Sequence, residues 1–170
     1  MATLDAAAAR CHLSVDAGEM PERKAEMDKI KAFLERRSAA GDGGVLFVCG
    51  QPGTGKTRCM AKIAEEVREA QKGGGNGFGR EPLKFHYVQS LGVAQPAAIF
   101  GQIHHLALHG VFQRSAKGKG RRRAGLTVLV LDEADELLKR QTDVLRQLLG
   151  WAGGGATSRL VVVGIANDIE

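Results

Sequence analysis

Apolar positions along this chain alternate between a helical rhythm and short continuous runs from about residue 25 onward. Over residues 25–37, Met27, Ile30, Phe33 and Leu34 recur at helical spacing, which predicts an amphipathic helix. The glycine-bearing stretch 41–44 ends it. Residues 45–49 are an apolar run bounded by glycines, the pattern of a buried strand. A second helix is predicted over 56–71, burying Met60, Ile63, Ala64 and Val67. Residues 84–89, 127–131 and 160–164 read as three more strands. Pro96 suits the first turn of a helix over 96–109, with Ile99, Ile103 and Leu106 inward. Another helix over 142–151 carries Val144, Leu145, Leu148 and Leu149 on one face.

Strands without polar alternation, set between amphipathic helices, predict an α/β fold: a parallel sheet covered on both faces. Two stretches interrupt it. Residues 73–79 (GGGNGFG) read as a flexible loop. Residues 110–125 read as a loop holding Arg114, Lys117, Lys119, Arg121, Arg122 and Arg123 without one acidic residue. Residues 1–19 lack periodicity and are expected to form a flexible N-terminal segment, and there is no internal repeat.

Composition narrows the picture only modestly. A length of 170 residues suits one domain, and 44% apolar residues with 5% aromatics imply an aliphatic core. The net charge of +5 and pI near 9.3 suit a phosphate-rich partner without requiring one. Cys11, Cys49 and Cys59 are odd in number and form no C-x-x-C pair, which argues against a disulfide framework or zinc site and suits a reducing compartment. Cys49 is expected inside its strand and Cys59 in helix packing. No run approaches the roughly 18 apolar residues of a membrane span, and no basic segment precedes an apolar one at the start. The expectation is a soluble intracellular protein with no membrane partner. His105 and His109 have metal-compatible spacing beside His104, but without a third ligand nearby they read as a helix surface.

The strongest chemical signal lies between the first strand and its helix. Gly50-Gln51-Pro52-Gly53-Thr54-Gly55-Lys56-Thr57 matches G-x-x-x-x-G-K-[ST] in full, in the strand-to-helix context that separates it from a chance glycine-rich turn. Glycines let successive N–H groups converge on a polyphosphate, and the helix start adds positive potential. Lys56 is expected to reach the β and γ phosphates, and the Thr57 hydroxyl to ligate Mg²⁺. Arg58, next along the helix, completes the expected nucleotide-binding set.

The run 127–131 passes straight into Asp132-Glu133. Acids at the carboxyl end of a buried strand face the crevice where such folds bind ligands. Asp132 is then the Mg²⁺ partner and Glu133 the group that orients the attacking water. Alternatively, both acids merely open the next helix. Asn167, after the fourth strand, could hydrogen-bond that water or the γ-phosphate, and an ordinary turn asparagine fits the spacing equally well. Arg159, just before that strand, suggests structural pairing.

Together these residues resemble the eukaryotic replication initiators of the AAA+ ATPases: the cell division control protein that helps load the replicative helicase, and the largest subunit of the origin recognition complex. Met20-Pro21-Glu22-Arg23-Lys24-Ala25-Glu26-Met27 resembles the group's L-P-x-R-x-x-E box, with Glu22 in place of the usual glycine. Leu131-Asp132-Glu133-Ala134-Asp135 is similar to its D-E-x-D element, and Gln141-Thr142-Asp143-Val144-Leu145 to its Q-D-V-L helix start. Trp151 falls where the group often has tryptophan. Ser158-Arg159-Leu160 through Asn167 resembles S-R-L-V-x-x-G-I-A-N, in which the asparagine senses nucleotide state.

The resemblance implies a three-layer P-loop NTPase of AAA+ type over residues 20–170, with ATP and Mg²⁺ bound. It implies incompleteness too. The group's fifth strand, helical lid with a second sensor arginine, and winged-helix DNA-binding domain would follow Glu170, leaving an open edge at 45–49. Implied partners are double-stranded DNA through those later regions, origin recognition complex subunits and the replicative helicase, in the nucleus. The basic loop 114–123 either touches DNA phosphates or is a solvated insertion. Two rivals stand beside this reading. Asp132-Glu133-Ala134-Asp135 also spells the D-E-A-D of RNA helicases, but residues 163–167 lack their Ser-Ala-Thr. A nucleotide-dependent interaction module would use ATP as glue between subunits.

Overall fold

The computed structural model describes residues 23–72, 78, 82–89, 125–140, 142–154 and 158–167. The expectations for residues 1–19, the 96–109 helix, its histidines and the basic loop 114–123 lie outside them.

Helix α1 (Lys24–Ala40) buries Met27, Ile30, Phe33 and Leu34, the positions its periodicity selects. Gly41 ends it at φ 68°, and its N–H donates to the Arg37 carbonyl at 2.8 Å, a left-handed cap that glycine adopts without strain. Strand β1 (Gly44–Cys49) leads into helix α2 (Lys56–Lys72), which buries Met60, Ile63, Ala64 and Val67 as expected. Strands β2 (Leu83–Gln89) and β3 (Leu126–Asp132) follow. Helix α3 (Ala134–Arg140) is not foreseen by the apolar pattern, because its seven residues give too few turns for a face to repeat. Helix α4 (Thr142–Ala152) buries Val144, Leu145 and Leu148 and packs Leu149 partly against the core. Strand β4 runs over Leu160–Ala166, two residues past the expected end.

All pairings are parallel, in the order β1-β4-β3-β2. Successive side chains on a strand point to opposite faces, and the two faces fill differently. Val128 and Val130 of β3 join Val161, Val163 and Ile165 of β4 under α1 and α2. Leu129, Leu131, Leu160 and Val162 pack with Leu137 of α3 and Leu145 and Leu148 of α4. The result is the expected three layers. Burying each such aliphatic side chain contributes about 1.5–3 kcal/mol, and the two central strands are buried along nearly their whole length. Lys31 of α1 also pairs with Glu66 of α2, a partly exposed bridge that contributes little.

One expectation fails at β1. Its residues are half-buried, with Phe47 and Cys49 exposed, rather than enclosed. The strand pairs β4 on one side, and among the described residues no strand covers the other. An apolar run records that a segment prefers burial, not that neighbours exist on both edges. Cys59 is buried as expected.

Candidate functional site

Strand order places the chemistry. Because β4 lies between β1 and β3, their carboxyl ends form one rim. The loop after β1, Asp132 at the end of β3 and Asn167 beyond β4 all meet there.

In the loop Gly50–Lys56, Gly53 (φ 75°) and Gly55 (φ 80°) take left-handed conformations, with open space where a Cβ would stand. Backbone conformation, rather than crowding, therefore demands glycine at both positions. The Thr54 hydroxyl donates to the Gln51 carbonyl at 2.8 Å and closes the turn. The Cys59 N–H donates to the Gly55 carbonyl at 2.9 Å, the first bond of α2. The helix thus starts at the loop and presents its first-turn amides toward it. Gln51, Pro52 and Gly53 are exposed along the rim.

Lys56 is only 7% exposed, yet its ammonium is fully engaged. Nζ donates to the Gly50 carbonyl at 2.6 Å, the Gln51 carbonyl at 2.8 Å and Asn167 Oδ1 at 3.1 Å. The last contact joins residues 111 apart in sequence and gives Asn167 a specific partner that an ordinary turn residue would not need. The Thr57 hydroxyl donates to both Asp132 carboxylate oxygens, at 3.1 and 3.0 Å, across 75 residues. A hydroxyl and a carboxylate face to face fit Mg²⁺, a hard cation that takes few protein oxygens and fills its remaining positions with water and phosphate. Among the described residues no group of three His, Cys, Asp or Glu could hold a metal alone, so phosphate oxygens would complete this one.

Glu133 is the only non-glycine described residue with a positive φ, at 57°. That conformation costs of order 1–3 kcal/mol and persists only where the surroundings impose it. Here β3 has just ended, and the Glu136 N–H donates to the Glu133 carbonyl at 3.0 Å as α3 begins. Its carboxylate oxygen Oε2 is buried without a hydrogen-bond partner. Burial raises the Glu133 pKa above its ordinary value, and the charges of Asp132, Asp135 and Glu136 add to the effect. A buried acceptor left unsatisfied is a place to hold a water. The alternative that Asp132 and Glu133 merely open the next helix fits Glu133, which stands immediately before α3. It does not account for Asp132 against Thr57.

The rim therefore unites Lys56, Thr57, Asp132 and Asn167, with Glu133 adjoining Asp132. Arg58 lies half-buried one step along α2. Arg159 is buried, and its carbonyl accepts the Thr127 N–H at 2.9 Å. The chain pattern gave Asp135 no role of its own. Its Oδ1 accepts the Asn167 main-chain N–H at 3.4 Å, a contact visible in sequence only as the last letter of the acidic element.

Residues 19–163 match the AAA ATPase domain family. The chain belongs to that family. Among relatives of this AAA ATPase domain, the human "Cell division control protein 6 homolog" is 30% identical over 160 residues, covering 89% of this chain and 27% of that protein. "Origin recognition complex subunit 1" of Drosophila melanogaster is 31% identical over 178 residues, covering 98% of this chain and 18% of that one. The chain thus spans little more than a quarter of the first relative and less than a fifth of the second. The structure of Drosophila ORC bound to DNA aligns at TM-score 0.73 and 29% identity, over 93% of this chain and 41% of that chain. The Aeropyrum pernix ORC2 protein in ADPNP–ADP complexes aligns at TM-score 0.65 and 19% identity, over 92% and 44%, a likeness of fold. Within that family the chain is similar to proteins named for cell division control and origin recognition, and it carries an AAA ATPase core. Asp132-Glu133-Ala134-Asp135 is accordingly the acidic element of an AAA ATPase, not of an RNA helicase. Among the described residues no helix is long and apolar enough to cross a membrane.

Proposed function

We propose that the chain binds Mg-ATP and hydrolyses it as the core of a DNA replication initiator or helicase-loading factor in origin licensing. The observation that carries the reading is Thr57 Oγ1 at 3.0–3.1 Å from the Asp132 carboxylate, beside a buried ammonium shared by the loop carbonyls and Asn167. The loop amides and Lys56 would receive the β and γ phosphates. Thr57 and Asp132 would hold Mg²⁺. Bound there, the metal supplies neutralisation of charge that develops on the phosphate oxygens. Glu133 accepts a hydrogen bond from the attacking water, for which its buried, unsatisfied oxygen is suited. Asn167 senses the γ-phosphate by exchanging its bond to Lys56 for one to the nucleotide.

The wider role follows the relatives. Contact with double-stranded DNA would come through regions outside this core, and the net charge of +5 is compatible with it. Assembly with origin recognition complex subunits and a replicative helicase, in the nucleus, belongs to the same proposal. A trans arginine contributes about 10³–10⁵ in rate in related P-loop systems, so the isolated core is expected to turn over slowly.

The test compares wild type with Glu133→Gln in a full-length assembly. ATP binding should survive and hydrolysis should be lost. Should the wild type never hydrolyse ATP there, the chain is an interaction module that uses nucleotide as glue. Should it bind no Mg-ATP, the site itself is wrong.

A further inference from the structure

Asn167 occupies an awkward place. The β3–β4 ladder ends at Leu131↔Gly164 and the β1–β4 ladder at Cys49↔Ala166. One residue later the chain has left the pairing that holds β4, yet Asn167 must present its amide to Lys56 at 3.1 Å. For a residue beyond the last rung, a hydrogen bond to the main-chain N–H restrains φ and with it the direction of the side chain. Asp135 makes such a bond: its Oδ1 accepts the Asn167 N–H at 3.4 Å, from 32 residues away in sequence.

Two other reasons for an acid at this position are weaker. Lys139 stands 4.0 Å away, but its side chain is 67% exposed while that of Asp135 is 13% exposed. Such a pair contributes little. An acid in the first turn of a helix gains from the helix dipole, but Glu136 in the same turn is placed to supply that as well. The bond to Asn167 is what sets Asp135 apart.

We infer that Asp135 is a positioning residue: by holding the Asn167 main chain past the end of β4, it sets the preference of the site for ATP over ADP. The inference rests on the reading of this rim as an ATP site. Asp135 is not among the residues that would hold the nucleotide or the metal. It acts through Asn167, and Asn167 through its carboxamide.

The chain is titrated with Mg-ADP and with Mg²⁺ and a non-hydrolysable ATP analogue, for wild type, Asp135→Ala, Asp135→Asn and Lys139→Ala. Asp135→Ala should weaken the analogue about tenfold, the size of one modest hydrogen bond, and leave ADP within about twofold. Asp135→Asn keeps an acceptor oxygen and should keep the wild-type ratio, as should Lys139→Ala. A ratio unchanged in Asp135→Ala would overturn the inference. So would an equal loss of both nucleotides, which marks a merely structural residue, or an Asp135→Asn ratio as low as that of Asp135→Ala. Should Asp135→Ala not fold, amide hydrogen exchange of wild-type Asn167 decides: protection above that of an exposed loop amide supports the bond, and unprotected exchange rejects it. A wild type that binds neither nucleotide would bring down the site and this inference with it; one that binds and discriminates isolates the inference.

Discussion

Replacing Lys56 with alanine tests the site most directly, because the structure lets the loss be sized. In the structure Nζ satisfies three acceptors, the carbonyls of Gly50 and Gln51 and the Asn167 amide. Gln51 is exposed and Gly50 half-buried, so water can replace the ammonium at the loop. Destabilisation of the unliganded fold should stay within about 1–3 kcal/mol. The liganded state loses more. Two charge-assisted hydrogen bonds to phosphate, at about 1.5–3 kcal/mol each, correspond to at least a hundredfold in affinity. In a thermal-shift assay, Mg-ATP at about 100 times the wild-type Kd stabilises by roughly 2.7 kcal/mol. For a chain of this size that raises Tm by roughly 5–11 °C. At the same concentration a hundredfold weaker variant gains only about 0.4 kcal/mol, or roughly 1 °C. A folded Lys56→Ala protein that keeps more than half of the wild-type shift would refute the placement of the triphosphate on this loop.

Four further outcomes follow from the structure. Thr57→Val, which removes the hydroxyl facing Asp132 at 3.0–3.1 Å, should raise the Mg²⁺ concentration needed for half-maximal ATP binding at least tenfold; titration of Mg²⁺ at fixed ATP checks it. Glu133→Gln should raise Tm at neutral pH. A carboxyl whose folded pKa is raised is destabilising once pH exceeds its ordinary value of 4.5, and the amide removes that cost, so a lower Tm at pH 7 would contradict the origin assigned to the shift. His86 behaves oppositely: burial first, and the Lys84 charge second, lower its pKa below 6.5, so the unfolded chain takes up the proton more readily and His86's share of stability falls as pH drops below 6.5. His86→Gln should flatten that slope in urea unfolding between pH 7.5 and 5.5. Gly43→Ala should cost about 1–3 kcal/mol or more in the same assay, because the new Cβ would meet Ser158 Oγ at 2.4 Å and the Ala152 and Leu160 carbonyls at 2.6 Å.

Much of this molecule could be read from the chain alone, for a physical reason. Every apolar residue expected on the inward faces of α1 and α2 is buried, because a helix's inward stripe is set by its own 3.6-residue geometry, while the polar Ser38 and Lys56 are buried beside them without a signal in the apolar pattern. The turn after β1 was legible for a similar reason: Gly53 and Gly55 take left-handed conformations that a glycine-rich spacing signals locally. Short-range sterics and hydrogen bonding write those features directly into spacing. Helix α3 escaped because seven residues hold too little period, and the enclosure expected of Cys49 failed because edge exposure depends on what lies beside a strand.

What the chain could not specify locally is which strand ends meet. The order β1-β4-β3-β2 arises from crossovers that cover both faces of the sheet with helices, a global balance of apolar burial. That order alone sets Thr57 against Asp132, Lys56 against Asn167, and Asp135 against the Asn167 main chain. Sequence supplied the reactive groups and the turns that aim them; tertiary structure supplied the distances, because only packing across the sheet can bring groups separated by 75 and 111 residues within hydrogen-bonding reach.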